Sequence, residues 1–112
     1  MARIPNYERA VIEPRKPKDY ILSATHPSGR FKAALFRQMG YTQENWGQLV
    51  EDIRKQHLTL NAELAEKTKY GQKYIITGDI EGPNGKTMRL KSVWIILEGA
   101  DFPQFITIYL GG

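Results

Sequence analysis

The sequence predicts an α+β fold in which N-terminal helices pack on one face of a C-terminal antiparallel sheet of about four strands. Three observations carry that expectation. Between positions 28 and 57 apolar residues recur at three- and four-residue intervals, the repeat of an amphipathic helix. From position 74 onward the pattern changes to alternation at every second position, the repeat of a half-buried strand. Glycine, proline and asparagine then fall between the alternating segments, where reversals of the chain are needed. A chain of 112 residues fits one small domain, so residues 1–112 are expected to fold as a single compact unit whose helices and sheet share one core.

The N-terminal segment Ile4 to Ile12 is expected to add an edge strand. Pro14 and Pro17 then punctuate the route to a short helix around Asp19-Tyr20-Ile21-Leu22. The next helix is expected from Ser28 to Met39, with Phe31, Leu35 and Met39 four residues apart and Gly40 placed to end it. Thr42 is an expected cap for a further helix, in which Trp46, Leu49, Val50 and Ile53 form the buried face. His57 lies one turn further along that stripe, which favours packing or a contact with the helix end over chemistry.

Four strands follow in the reading. Glu63 to Tyr70 is the first, and the alternation of Tyr74 to Asp79 marks the second. Gly82-Pro83-Asn84-Gly85 is a reversal signal before Arg89 to Leu97, and Gly99 to Pro103 links that strand to Gln104 to Leu110. Strict alternation places Ile106, Ile108 and Leu110 on one side of the last strand and Phe105, Thr107 and Tyr109 on the other. In the preceding strand, Ser92 and Trp94 share a face opposite Val93 and Ile95.

Composition narrows the function classes. Sixteen Lys and Arg against 12 Asp and Glu give a formal charge of +4. With a pI near 9.4, the chain suits an acidic or polynucleotide partner, although the excess is modest for a protein that coats DNA. The sequence has no cysteine, so disulfides and thiolate zinc sites are excluded. His26 and His57 are far apart and the carboxylates are dispersed, so neither a metal centre nor another cofactor is expected. No apolar run is long enough to span a bilayer, and the charged start does not resemble a secretory signal, which makes the cytoplasm the expected location.

Candidate chemistry centres on His26-Pro27-Ser28-Gly29-Arg30-Phe31-Lys32. Pro27 biases His26 toward extended backbone, Ser28 is a helix-capping residue, and Arg30 and Lys32 supply cations at the helix start. A phosphate held there would lie beside a side chain able to move a proton near neutral pH. The Trp94 face of the sheet is the candidate base-binding surface, with Tyr109 on the neighbouring strand.

These residues also carry a resemblance. The sequence resembles a small bacterial domain family with four N-terminal motifs. They read here as Ile4-Pro5-Asn6, Tyr20-Ile21-Leu22, the His-Pro-x-Gly-x-x-Lys-Ala run of His26 to Ala33, and Gly40-Tyr41-Thr42-Gln43-Glu44-Asn45. The likeness continues through Tyr70-Gly71, Gly82-Pro83-Asn84-Gly85-Lys86, Val93-Trp94 and Thr107-x-Tyr109, and departs at Leu110-Gly111-Gly112, where a proline-containing end is commoner. Related domains end bacterial polymorphic toxins, and the order of helices then sheet looks like the nuclease fold shared by barnase, EndoU, colicin D and RelE.

That resemblance implies an endoribonuclease toxin that works without a metal ion. It assigns His26, Lys32 and Thr107 to catalysis and adds Arg30 and Tyr109 as substrate-binding residues, beside the Trp94 surface. RNA, tRNA included, is the implied substrate, and a small acidic antitoxin or immunity protein the implied partner. The alternative is a non-enzymatic interaction domain whose basic loop binds an acidic protein, with Trp94 and Tyr109 as its apolar anchor.

Overall fold

The computed structural model describes residues 2–22 and 30–111, with the backbone alone at positions 30 and 31. It has the expected α+β class. Helices α1 (Arg30–Arg37) and α2 (Trp46–Asp52) precede strands β1 (Glu63–Thr68), β2 (Gly71–Glu81), β3 (Thr87–Leu97) and β4 (Gln104–Leu110). The strands pair in chain order as an antiparallel meander. Wide, π-type turns form at Lys16–Ile21 and Ile53–His57. Among the described residues no helix is long and apolar enough to cross a membrane.

α1 buries a different stripe from the one its four-residue spacing suggests. Ala33, Phe36 and Met39 are fully buried, three residues apart, while Leu35 is half-buried. The Phe31 side chain lies outside the described residues. Gly40 ends the helix as expected, with φ of +96°. The Tyr41 N–H donates to the Phe36 carbonyl at 3.1 Å and the Gly40 N–H to the Arg37 carbonyl at 3.0 Å, a Schellman closure. The Phe36 and Tyr41 rings complete it edge to face, 6.2 Å apart.

Thr42 caps one turn earlier than the first residue of α2. Its N–H donates to Asn45 Oδ1 at 2.6 Å, and the Asn45 N–H donates to Thr42 Oγ1 at 3.3 Å, the reciprocal pattern of a capping box. Leu49 and Ile53 are buried, and Trp46 and Val50 half-buried, on the expected face. After Asp52 the helix widens, and the Leu58 N–H reaches back five residues to Ile53 at 2.8 Å.

β2 and β3 pair without interruption from Gly71 opposite Leu97 to Glu81 opposite Thr87. Their hairpin turn also docks on the end of α1, since the Asn84 side-chain amide donates to the Gln38 carbonyl at 2.7 Å. A Cβ at Gly82 would stand 2.2 Å from the Met39 carbonyl oxygen, so the close approach requires glycine there.

Two expectations are corrected. The segment from Ile4 to Ile12 is not a strand. It makes single bridges, Ala2 to Ala62 and Val11 to Gln104, on either side of a 3₁₀ turn at Tyr7–Arg9. The alternation of β4 is also broken, because the β3–β4 register shifts between Val93 and Trp94. Val93 pairs with Thr107 and Trp94 with Phe105, which leaves Ile106 as the extra residue of a bulge. Phe105 therefore joins Ile108 in the core, its ring 5.3 Å from that of Trp94.

Candidate functional site

The bulge in β4 marks one wall of a cleft of about 450 Å³, lined by Glu13, Arg15, Lys16, Asp19, Tyr20 and Ile106. Pro17 and Ile21 are buried and anchor the opposite wall, the Lys16–Ile21 turn. Lys16 fastens that turn to the strand. Its ammonium donates to the carbonyl oxygens of Phe105, at 2.9 Å, and Ile106, at 3.5 Å.

Lys32 reaches the same strand from α1. Its Nζ lies 2.7 Å from Thr107 Oγ1 and 5.4 Å from the centre of the Tyr20 ring. Two residues singled out in the sequence, 75 positions apart, are thus in contact, and they adjoin the cleft through Tyr20 and Ile106. Burial holds the Lys32 ammonium below its ordinary pKa of 10.5. An ammonium has no lone pair, so Thr107 accepts this hydrogen bond, and its own O–H remains able to donate to a ligand.

The other sequence candidates fall differently. His26 lies outside the described residues, as does the side chain of Arg30. Tyr109 is exposed on β4 opposite Lys91. Trp94 is fully buried, with its indole N–H donating to Ser92 Oγ at 2.8 Å. The expected base-stacking surface at Trp94 is therefore corrected: the Ser92 and Trp94 side of the sheet is the side the helices cover.

His57 is equally buried and equally committed. Its Nε2 faces the carbonyl oxygens of Leu90, at 3.0 Å, and Gly78, at 3.3 Å, so this nitrogen carries the proton. Nδ1 then accepts from the Ser92 hydroxyl at 2.7 Å. Desolvation is the main cause that holds the imidazole pKa below 6.5. This is the packing role that its place on the helical stripe suggests.

Sequence reading passed over Lys16 and singled out Tyr20 only within a motif. Tyr20 precedes the buried Ile21 in a short helical turn, a position from which a ring can border a cleft. No local signal marks Lys16, because its partners are backbone carbonyls 89 and 90 residues away. Among the described residues no three His, Asp or Glu side chains gather as a metal-binding group. A second groove, about 550 Å³ and lined by Ala2, Arg3, Pro5, Ala62, Glu63, Leu64 and Tyr74, contains none of the candidate residues.

Fold and cleft together can be set beside known proteins. Residues 3–112 match the model of a family described as a domain of unknown function, DUF6883, and the chain belongs to that family. No curated protein sequence matches it. Among solved structures, a chain of the contact-dependent growth inhibition toxin–immunity protein complex from Klebsiella pneumoniae 342 superposes with a TM-score of 0.69 at 17% identity. The match covers 96% of this chain and 97% of that one, and at such identity it is a likeness of fold.

Proposed function

We propose that this domain is a toxin of the cytoplasm that cleaves RNA, tRNA included, without a metal ion, and that an acidic immunity protein neutralises it. The contact between Lys32 and Thr107 beside the cleft carries this reading. It joins a half-buried cation to a hydroxyl that can still donate, which suits a phosphoryl oxygen gaining negative charge. The fold shared with a chain of a toxin–immunity complex supports the same reading.

In the proposed reaction the ribose 2′-oxygen attacks the adjacent phosphorus. The bond to the 5′-oxygen breaks, leaving a 2′,3′-cyclic phosphate and a free 5′-hydroxyl. His26 takes the 2′-hydroxyl proton or delivers one to the departing 5′-oxygen, transfers for which an imidazole is the usual side chain. Lys32 stabilises the phosphoryl oxygens, Thr107 orients them, and Arg30 and Tyr109 bind substrate. With His57 sealed in the core, a second proton carrier has to come from a lysine or hydroxyl group.

The test is cleavage of end-labelled total RNA and tRNA, with EDTA present, by the wild type and by folded His26→Ala and Lys32→Met variants. Discrete products ending in cyclic phosphate, lost in both variants, are expected. Full cleavage by His26→Ala removes His26 from the mechanism. No cleavage by the wild type, with tight binding of an acidic protein instead, makes the domain an interaction module.

A further inference from the structure

Lys16 and Lys32 come from different elements and converge on three successive residues of β4. Lys16 contacts the carbonyl oxygens of Phe105 and Ile106, and Lys32 the hydroxyl of Thr107. Both contacts are part-buried. Neither lysine has a carboxylate within ion-pair distance among the described residues, where the ion pairs use Arg9, Arg15, Lys55 and Lys73. Among the described residues both part-buried ammonium groups are bonded only to neutral oxygens, which leaves each an N–H to spare.

The acidic residues of the cleft do not cancel them. Glu13 is held by Arg15 at 3.0 Å, which leaves Asp19 as the remaining carboxylate of the cleft lining beside Lys16, with Lys32 adjoining. Ile106, the residue that the bulge adds, lines the cleft, and Tyr20 borders Lys32.

We propose that Lys16 and Lys32 clamp consecutive phosphates of a single-stranded polynucleotide, with Lys32 on the scissile phosphate and Lys16 on its neighbour. The identity of the scissile phosphate rests on the ribonuclease reading; the clamp itself does not. Lys16 thereby becomes a substrate-binding residue, and its grip on β4 fixes the cation at a set distance from the reacting centre. The bulge matters because it turns Ile106 into the cleft as an apolar floor.

Binding of a fluorescent single-stranded DNA hexanucleotide, which lacks the attacking 2′-hydroxyl, tests this across a range of KCl concentrations. The proteins are the wild type, Lys16→Gln, Lys16→Met, Lys32→Met and Lys18→Met. Gln at position 16 removes the charge but keeps an N–H donor, whereas Met removes both, so the pair separates lost charge from a lost contact, and thermal unfolding checks each fold. Lys18 is exposed on the same segment and controls for overall charge. Removing Lys16 or Lys32 should each lower the slope of log affinity against log salt by about 0.7, the share of one phosphate contact on a single strand. Lys18→Met should leave the slope unchanged.

An unchanged slope in Lys16→Gln overturns the clamp, as does a Lys18→Met effect equal to it. Release of poly-glutamate by the same lysine variants, at affinity matching the oligonucleotide, also overturns it in favour of an acidic protein site. Cleavage of the matching RNA is measured in parallel. The expected slopes without cleavage leave the clamp standing and remove the enzyme, whereas cleavage with unchanged slopes removes only the clamp.

Discussion

His57 and Lys32 each bring a basic nitrogen 2.7 Å from a hydroxyl on the sheet, His57 to Ser92 on β3 and Lys32 to Thr107 on β4. In the first pair nothing is left over. The Trp94 indole donates to Ser92, Ser92 donates to His57, and His57 donates to the Leu90 and Gly78 carbonyls. Each polar hydrogen in that chain has an acceptor, and no buried side-chain nitrogen or oxygen among the described residues is unpaired. In the second pair, among the described residues, the ammonium keeps unused N–H groups and Thr107 keeps its O–H, at the border of a cleft. Similar residue types at equal spacing thus serve two ends: a saturated network fixes the helix to the sheet, and an unsaturated one is available to an anion.

Substitution should separate the two regions. The largest effect is expected for Lys32→Met on cleavage, a loss of about 10²–10³ in rate, the range for removing one donor to a developing oxyanion. Its melting temperature should stay near that of the wild type. An equal fall in stability and rate would make Lys32 a packing residue like His57.

His57→Ala should do the reverse. It leaves a cavity and orphans the Ser92, Leu90 and Gly78 groups, for about 3 kcal/mol of stability in urea unfolding. Cleavage per folded molecule should be unaltered; a rate defect in folded protein would return His57 to the site. Ser92→Ala strands both the Trp94 N–H and His57 Nδ1 and should lose about 2 kcal/mol, whereas Thr107→Val, at the rim, should lose less than about 1 kcal/mol. Similar losses in those two variants would erase the contrast between interior and rim.

The smallest effect concerns pH. Burial holds the folded His57 pKa below 6.5, so on acidification the unfolded chain takes up this proton first. The His57 contribution is therefore fully favourable above about 6.5 and declines as pH falls toward the lower folded value. Urea unfolding of the wild type and His57→Gln between those limits should show a stability difference that narrows with acid. A constant difference would mean that His57 titrates alike in both states.

Much of the architecture was legible because local periodicity reports which side chains can share a face. The Gly40 stop, the α2 stripe, the hairpin at Gly82 to Gly85 and the four strand segments all follow from residues close in sequence. Three features were not legible in that way. The strand expected at Ile4 to Ile12 is a strap with single bridges, since strand pairing needs a partner edge that spacing does not reveal. Ile106 breaks the alternation that the sequence of β4 displays, because a bulge is a mismatch between two strands and the sequence of one strand does not contain it. The burial of Trp94 is not legible because alternation separates two faces without saying which one the helices cover.

The candidate site divides along the same line. By itself the sequence determined the α+β class, the helix-then-sheet order, the net positive charge and the selection of Lys32 and Thr107, properties set by composition, local spacing and short motifs. Only the tertiary structure decided that those two side chains touch, that Lys16 joins them on β4, and that Trp94 and His57 are sealed in the core. The physical reason is that hydrogen-bond saturation and desolvation depend on neighbours 21 to 90 residues distant along the chain, which no window of sequence contains.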